Sequence, residues 1–185
     1  MSNKLIFVYG VMNVGKSNEI LSTHENYLKT NKKVALVKPN IDIRTKSTIK
    51  SRSGWEKECI VITPNSSLKE TLKDYDVILV DESQFLTEEQ IKDLRELVDF
   101  NNSTVFCYGL KVTFKGTLFP ASKILIEKAD KILEMTTLCH CGKKATMILK
   151  IKNGNVVKEG DDIEVGGDDI YHSVCHKHWS LNQFC

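Results

Sequence analysis

Gly10-Val11-Met12-Asn13-Val14-Gly15-Lys16-Ser17 decides the fold, because it fits the pattern G-x-x-x-x-G-K-[ST]. Its glycines let the backbone curl so that Gly10, Met12, Asn13, Val14 and Gly15 present N–H groups to phosphate oxygens. Lys16 then neutralises the β and γ phosphates, and the Ser17 hydroxyl ligates Mg²⁺. No other cation stands out to stabilise a transferring phosphoryl group, so that expectation rests on Lys16. A Gly-rich turn that matches by chance would lack flanking structure. Here Leu5 to Tyr9 reads as a strand ending at Gly10. Asn18 to Leu28 follows, with Ile20, Leu21, Tyr27 and Leu28 on one face at helical spacing. Strand, loop, helix is the context the pattern requires, and the helix adds its positive end.

Outward from this loop, short apolar runs alternate with helical patterns. Lys33 to Val37 reads as a strand closed by Lys38-Pro39, and Ile60-Val61-Ile62 as another before Pro64. Val77-Ile78-Leu79-Val80 is a continuous apolar run, as expected of a strand buried on both faces. Thr87-Glu88-Glu89-Gln90 looks like a capped helix start, with Ile91, Leu94, Leu97 and Val98 on one face. Thr104 to Tyr108 adds a strand and Ala121 to Ala129 a helix. The alternation implies an α/β fold, a parallel sheet with helices on both faces.

The run at Val77 ends in Asp81-Glu82. A buried strand ending in an acid is how such folds place a carboxylate beside the metal, so Asp81 is the second Mg²⁺ candidate. Glu82, one step on, points elsewhere and can accept a proton from a nucleophile. The pattern leaves open whether that nucleophile is water or a substrate hydroxyl.

Composition narrows the class. At 185 residues the chain suits one domain, or a core domain with a small appendage. With 41% hydrophobic and 27% charged residues, it is not globally disordered. Lys and Arg number 26 against 24 Asp and Glu, a balance that argues against nucleic-acid binding through bulk positive charge. No apolar stretch approaches the ~20 residues that span a bilayer. Met1-Ser2-Asn3-Lys4 leads into an apolar run too short for a signal peptide. A cytoplasmic protein with no membrane partner is expected.

After Leu138 the texture changes to scattered glycines and charges with little helical periodicity. This tail reads as too short to bury a core of its own, so something else should hold it. Cys139-His140-Cys141 and Cys175-His176-Lys177-His178 offer the means. Soft ligands from two short segments suit tetrahedral Zn²⁺, although C-x-C is tighter than the usual gap. His140 and His176 compete on paper; Cys139, Cys141, Cys175 and His178 are the preferred set. The division expected is residues 1–135 as an ATP-binding α/β domain and 136–185 as a zinc-binding domain. Cys59, Cys107, Phe106 and Phe119 read as core, and Cys185 as exposed. His24, His172 and Trp179 default to packing or surface roles. Phe85 and Phe114 follow sheet ends, where ligands of such folds bind.

Taken together, several segments resemble type II thymidine kinases, in the branch found in bacteria and their phages. They are Met12 within the loop, Lys38-Pro-Asn-Ile-Asp42-Ile-Arg44, Val80-Asp-Glu-Ser-Gln-Phe85, Tyr108-Gly-Leu110, Phe114-Lys-Gly and Gly166-Gly-Asp-Asp-Ile-Tyr171-His-Ser-Val-Cys175. Their order and spacing match from roughly Leu5 to His178. The resemblance implies a RecA-like P-loop fold and ATP-dependent phosphorylation of the thymidine 5′-hydroxyl, with Glu82 as base. It implies that Asp42 and Arg44 lie near the phosphates and metal. Met12, Phe85, Leu110, Phe114, Phe119 and Tyr171 would line the nucleoside pocket. Gly166 and Gly167 would belong to a zinc-tethered lasso that reads the base with main-chain groups. Homotetramers and inhibition by thymidine triphosphate (dTTP) are implied as well. The rival from another class is a P-loop motor or switch ATPase whose zinc module grips nucleic acid. A degenerate regulator that binds nucleotide without turnover is a third reading, opposed by intact Lys16, Ser17, Asp81 and Glu82.

Overall fold

The computed structural model describes residues 3–40, 47–160 and 171–184. Asp42, Arg44, Gly166, Gly167 and Cys185 therefore lie outside the described residues. Six strands form the central sheet: β1 (Leu5–Tyr9), β2 (Val34–Pro39), β5 (Ile60–Ile62), β6 (Val77–Val80), β7 (Thr104–Gly109) and β8 (Lys131–Glu134). Their order is β5-β2-β6-β7-β1-β8, and every neighbouring pair is parallel. The expected parallel sheet is present, with β8 added beyond the strands read from sequence.

The sheet is covered on both faces, and the strands divide their side chains accordingly. Leu5, Phe7, Val37, Ile78, Val80, Val105 and Cys107 face a layer made by α2 (Leu68–Leu72), α3 (Glu88–Phe100) and α4 (Pro120–Lys128). Ile6, Val8, Leu36, Leu79 and Tyr108 face Ile20 and Leu21 of α1 (Lys16–Leu28). Alternate residues of one strand thus serve opposite layers, which is why Val77–Val80 is apolar throughout. At the start of α3, the Thr87 hydroxyl accepts from the Gln90 N–H while the Gln90 side chain accepts from the Thr87 N–H, the reciprocal cap its sequence suggested.

Two additions lie outside the alternation. A hairpin of β3 (Thr48–Lys50) and β4 (Glu56–Glu58) packs on the α1 side through Ile49, which is 1% exposed. At the C-terminal end, β9 (Met147–Lys152), β10 (Asn155–Val157) and β11 (Tyr171–Val174) form an antiparallel sheet in the order β10-β9-β11. The short helix α5 (His176–Ser180) follows.

This small sheet corrects the expectation that something other than hydrophobic burial holds the tail. Met147, Ile148, Leu149, Ile151 and Val174 are buried in one cluster with Val11, Val112 and Phe114. The tail gains its core by sharing residues that leave the ends of the central sheet. Counting apolar residues within the tail alone missed these partners.

Candidate functional site

The phosphate loop leaves the C-terminal end of β1, an interior strand between β7 and β8. Gly10 must be glycine here, since a Cβ would sit 2.7 Å from Val14 Cγ1 and 2.8 Å from the Met135 carbonyl. Gly15 turns the chain into α1 with a φ of 97°, a conformation that glycine adopts without a Cβ penalty. Lys16 is buried, and its Nζ donates to the carbonyls of Val11 (2.9 Å) and Gly10 (3.4 Å). Desolvation lowers its pKa, with the charges of Glu82 and Asp81 pulling the other way.

Beside it, β6 delivers Asp81 and Glu82. Asp81 is buried, and burial together with the neighbouring Glu82 charge pushes its carboxyl up to about 7. Its Oδ1 accepts from the Glu82 N–H at 3.0 Å. Glu82 has a φ of 51°, a left-handed conformation uncommon outside glycine. Such strain is kept where the surroundings over-determine it. They do so here through Gln84, which sequence reasoning passed over. Gln84 is buried in the 3₁₀ turn Ser83–Phe85. Its Nε2 donates to Glu82 Oε2 at 2.6 Å, and its Oε1 accepts from the Leu110 N–H at 3.0 Å. The signal lay in its position, two residues past the acid within Asp-Glu-Ser-Gln.

Met12, Asn13, Gly15, Lys16, Ser17, Asp81, Glu82 and Leu110 line one cleft of about 380 Å³. The sequence candidates for phosphate, Mg²⁺ and proton transfer therefore meet in one place. Lys50 and Arg52 of the hairpin line it too, which corrects the expectation that Lys16 stands alone. The hairpin is joined to the loop by the fold, not by sequence proximity, so motif spacing was blind to it.

The candidate nucleoside residues fall into two groups. Met12, Leu110 and Tyr171 pack against the cluster holding Phe114, at the junction of phosphate loop and small sheet. Ser173 Oγ donates to the Met12 carbonyl at 2.8 Å, tying the two together. Phe85 instead meets Phe119 edge-on, ring centroids 5.9 Å apart. Phe119 is buried and precedes α4. Trp179 does more than pack: its Nε1 donates to the Phe114 carbonyl at 3.0 Å.

Cys139, Cys141, Cys175 and His178 converge so that their ligand atoms all lie within 4.8 Å of one another. Tetrahedral Zn²⁺ with Zn–S near 2.3 Å and Zn–N near 2.1 Å separates its ligand atoms by roughly 3.6–3.8 Å. Cys141 Sγ lies 3.8 Å from Cys175 Sγ, which in turn lies 3.5 Å from His178 Nδ1. Cys139 Sγ is 3.3 Å from the same nitrogen. Burial opposes ionisation of Cys139, but N–H groups of Cys141 and Cys175 and the His178 ring bring its thiol down to about 6. This donor set can hold zinc with no position left open for water. His140 stacks on the His178 ring at 4.3 Å, beside the cluster.

Among the described residues, no helix is long and apolar enough to cross a membrane.

A family model described as thymidine kinase matches residues 3–179. The chain is 42% identical over 184 residues to the thymidine kinase of enterobacteria phage T4, covering 95% of each chain. It is 40% identical over 183 residues to that of Idiomarina loihiensis, again covering 95% of both. Against the thymidine kinase of Legionella pneumophila (strain Lens) it is 39% identical over 191 residues, covering 97% of this chain and 90% of the other. The motor reading has no comparable support. A cleft lined by the phosphate loop, Asp81 and Glu82, a Cys3His cluster and near full-length likeness converge: the chain belongs to the thymidine kinase family.

Proposed function

We propose that the protein transfers the γ-phosphoryl group of ATP to the 5′-hydroxyl of thymidine, giving dTMP and ADP. The observation that carries this reading is the Glu82 carboxylate, fixed by Gln84 in the cleft that also holds Lys16, Ser17 and Asp81. A carboxylate locked in a strained backbone turn beside a phosphate loop suits a base that waits for a hydroxyl. The 5′-oxygen attacks Pγ, the bond from Pγ to the β,γ-bridging oxygen breaks, and ADP leaves with the electron pair. Glu82 takes the hydroxyl proton. Lys16 and the loop N–H groups hold the phosphates in line.

Ser17 and Asp81 would hold Mg²⁺, which would offset the charge of the phosphates. Asp42 and Arg44 join them in this reading. Met12, Phe85, Leu110, Phe114, Phe119, Tyr171, Gly166 and Gly167 form the nucleoside side in this reading. Residues 1–135 serve as the ATP-binding domain, and 136–185 as a zinc-tethered domain that closes over the nucleoside. The same reading includes feedback inhibition by dTTP, a homotetramer and a cytoplasmic setting, with no nucleic-acid partner.

A coupled assay with ATP, Mg²⁺ and a panel of nucleosides tests it. ADP release that depends on thymidine, with dTMP formed one for one, is expected. ATP hydrolysis that needs no nucleoside, without dTMP, would overturn it.

A further inference from the structure

From the hairpin between β3 and β4 we infer that Arg52 is a catalytic residue of the phosphoryl transfer, an arginine supplied within the chain to stabilise the transferring group. The inference rests on the kinase reading above and adds to it.

The first observation is placement. Arg52 lines the same cleft as Lys16, Ser17, Asp81 and Glu82. Its guanidinium Nη2 donates to Asn13 Oδ1 in the middle of the phosphate loop. The loop backbone cradles the β and γ phosphates, so this bond puts the guanidinium at the phosphate end of the cleft.

The second is rigidity. The hairpin is carried by the helix that the phosphate loop opens. Ile49 is sunk against Ile20 and Leu21 of α1. Ser53 Oγ donates to Asn18 Oδ1 at 2.9 Å, and Lys57 Nζ lies 2.9 Å from Glu25 Oε1. Ser51 braces the turn: its N–H donates to the Trp55 carbonyl at 2.8 Å, and its Oγ accepts from the Trp55 N–H at 3.1 Å. A cation mounted on the helix that presents the phosphates keeps its distance from them, as electrostatic catalysis requires.

The third is charge. Among the described residues, the cleft is lined by three cations, Lys16, Lys50 and Arg52, and two carboxylates, Asp81 and Glu82. Without Arg52 the described side-chain lining would have no surplus of positive charge for a triphosphate. Lys16 acts as a point charge already drawn to two loop carbonyls. The planar fork of Arg52 can instead meet two oxygens of the phosphoryl group at once. As the bond from Pγ to its bridging oxygen breaks and the 5′-oxygen bond forms, charge spreads over those oxygens, and a guanidinium at the phosphate end of the cleft binds that state more tightly than ground-state ATP.

The test compares wild type with Arg52→Ala and Arg52→Lys. Turnover should fall about 10²–10³-fold in Arg52→Ala. Affinity for a non-hydrolysable ATP analogue should change by about tenfold at most. Affinity for ADP with aluminium fluoride and thymidine, which mimics the transferring phosphoryl group, should fall in step with turnover. Added guanidinium should restore part of the activity of Arg52→Ala and none to Glu82→Gln. Arg52→Lys should stay well below wild type, because an ammonium lacks the fork. Equal losses for the ATP analogue and the fluoride complex would make Arg52 a ground-state phosphate contact and overturn the inference. Full activity in Arg52→Ala would overturn it too. A lowered thermal midpoint with no guanidinium rescue would mark a hairpin lock and do the same. Wild-type protein that makes no dTMP would instead sink the kinase reading, a separate outcome visible in the control.

Discussion

Glu82 and Gln84 show how a two-residue offset becomes chemistry. The left-handed turn at Glu82 swings its carboxylate back over the 3₁₀ turn, where the Gln84 amide meets it. Glu82→Gln keeps size and much of the hydrogen bonding but cannot take a proton. Its kcat should fall roughly 10²–10⁴-fold, with thymidine and ATP affinities much less affected, read by steady-state kinetics against direct binding. A dissociative transition state leans little on a base early on, which favours the lower part of that range. Gln84→Met keeps the volume of the side chain and removes both amide bonds. It should lower kcat by about tenfold or more while ADP binding stays near wild type, since Gln84 reaches Glu82 and the Leu110 N–H but not the phosphate loop. Lys16, Ser17, Asp81 and Glu82 were legible in the sequence because each sits in a contiguous motif whose geometry is local. Gln84 and Arg52 were not: one depends on an unusual φ, the other on a hairpin arriving from outside the motif.

Strands and helices were legible where burial wrote a period into the chain. Apolar Val77–Val80 and the capped, one-faced α3 stand where their patterns placed them. The hairpin and β8 left no such mark, because they are short and largely exposed and their residues alternate with little contrast. One contact between elements has a measurable pH signature. Asp130, between α4 and β8, accepts from the Leu5 N–H at 2.8 Å and from Arg95 of α3 at 2.7 Å. Burial pushes its pKa up, but the Arg95 and Leu5 hydrogen bonds outweigh that and hold it below the ordinary value. A depressed carboxylate adds stability that is complete above its unfolded value of about 3.9 and is lost as pH falls through its lower folded value. Asp130→Asn should therefore cost about 1 kcal/mol at neutral pH, because the pair is partly exposed. The difference from wild type should shrink below about pH 4, measured by urea unfolding across pH.

At the scale of the whole molecule, the Cys3His cluster closes the far end of the small sheet, joining the segment before β9 to the start of α5. Purified protein should carry one zinc per chain by elemental analysis. Chelation, or Cys175→Ala, should lower the thermal midpoint by roughly 5 °C or more and weaken thymidine binding. ADP binding should hold up better, because the phosphate loop also rests on the central sheet. Protein without zinc and equally stable would refute the assignment. The ligand set was legible because cysteine and histidine have few other uses at such spacing. The core beneath it was not, because Val11, Val112 and Phe114 of that core come from outside the tail. Ser173 meets the Met12 carbonyl across a separation of 161 residues. During synthesis the phosphate loop leaves the ribosome early, yet the partner for that carbonyl is made near the end. A nascent chain can form the parallel sheet first, but the nucleotide site acquires its last support only when translation of the described residues is almost complete.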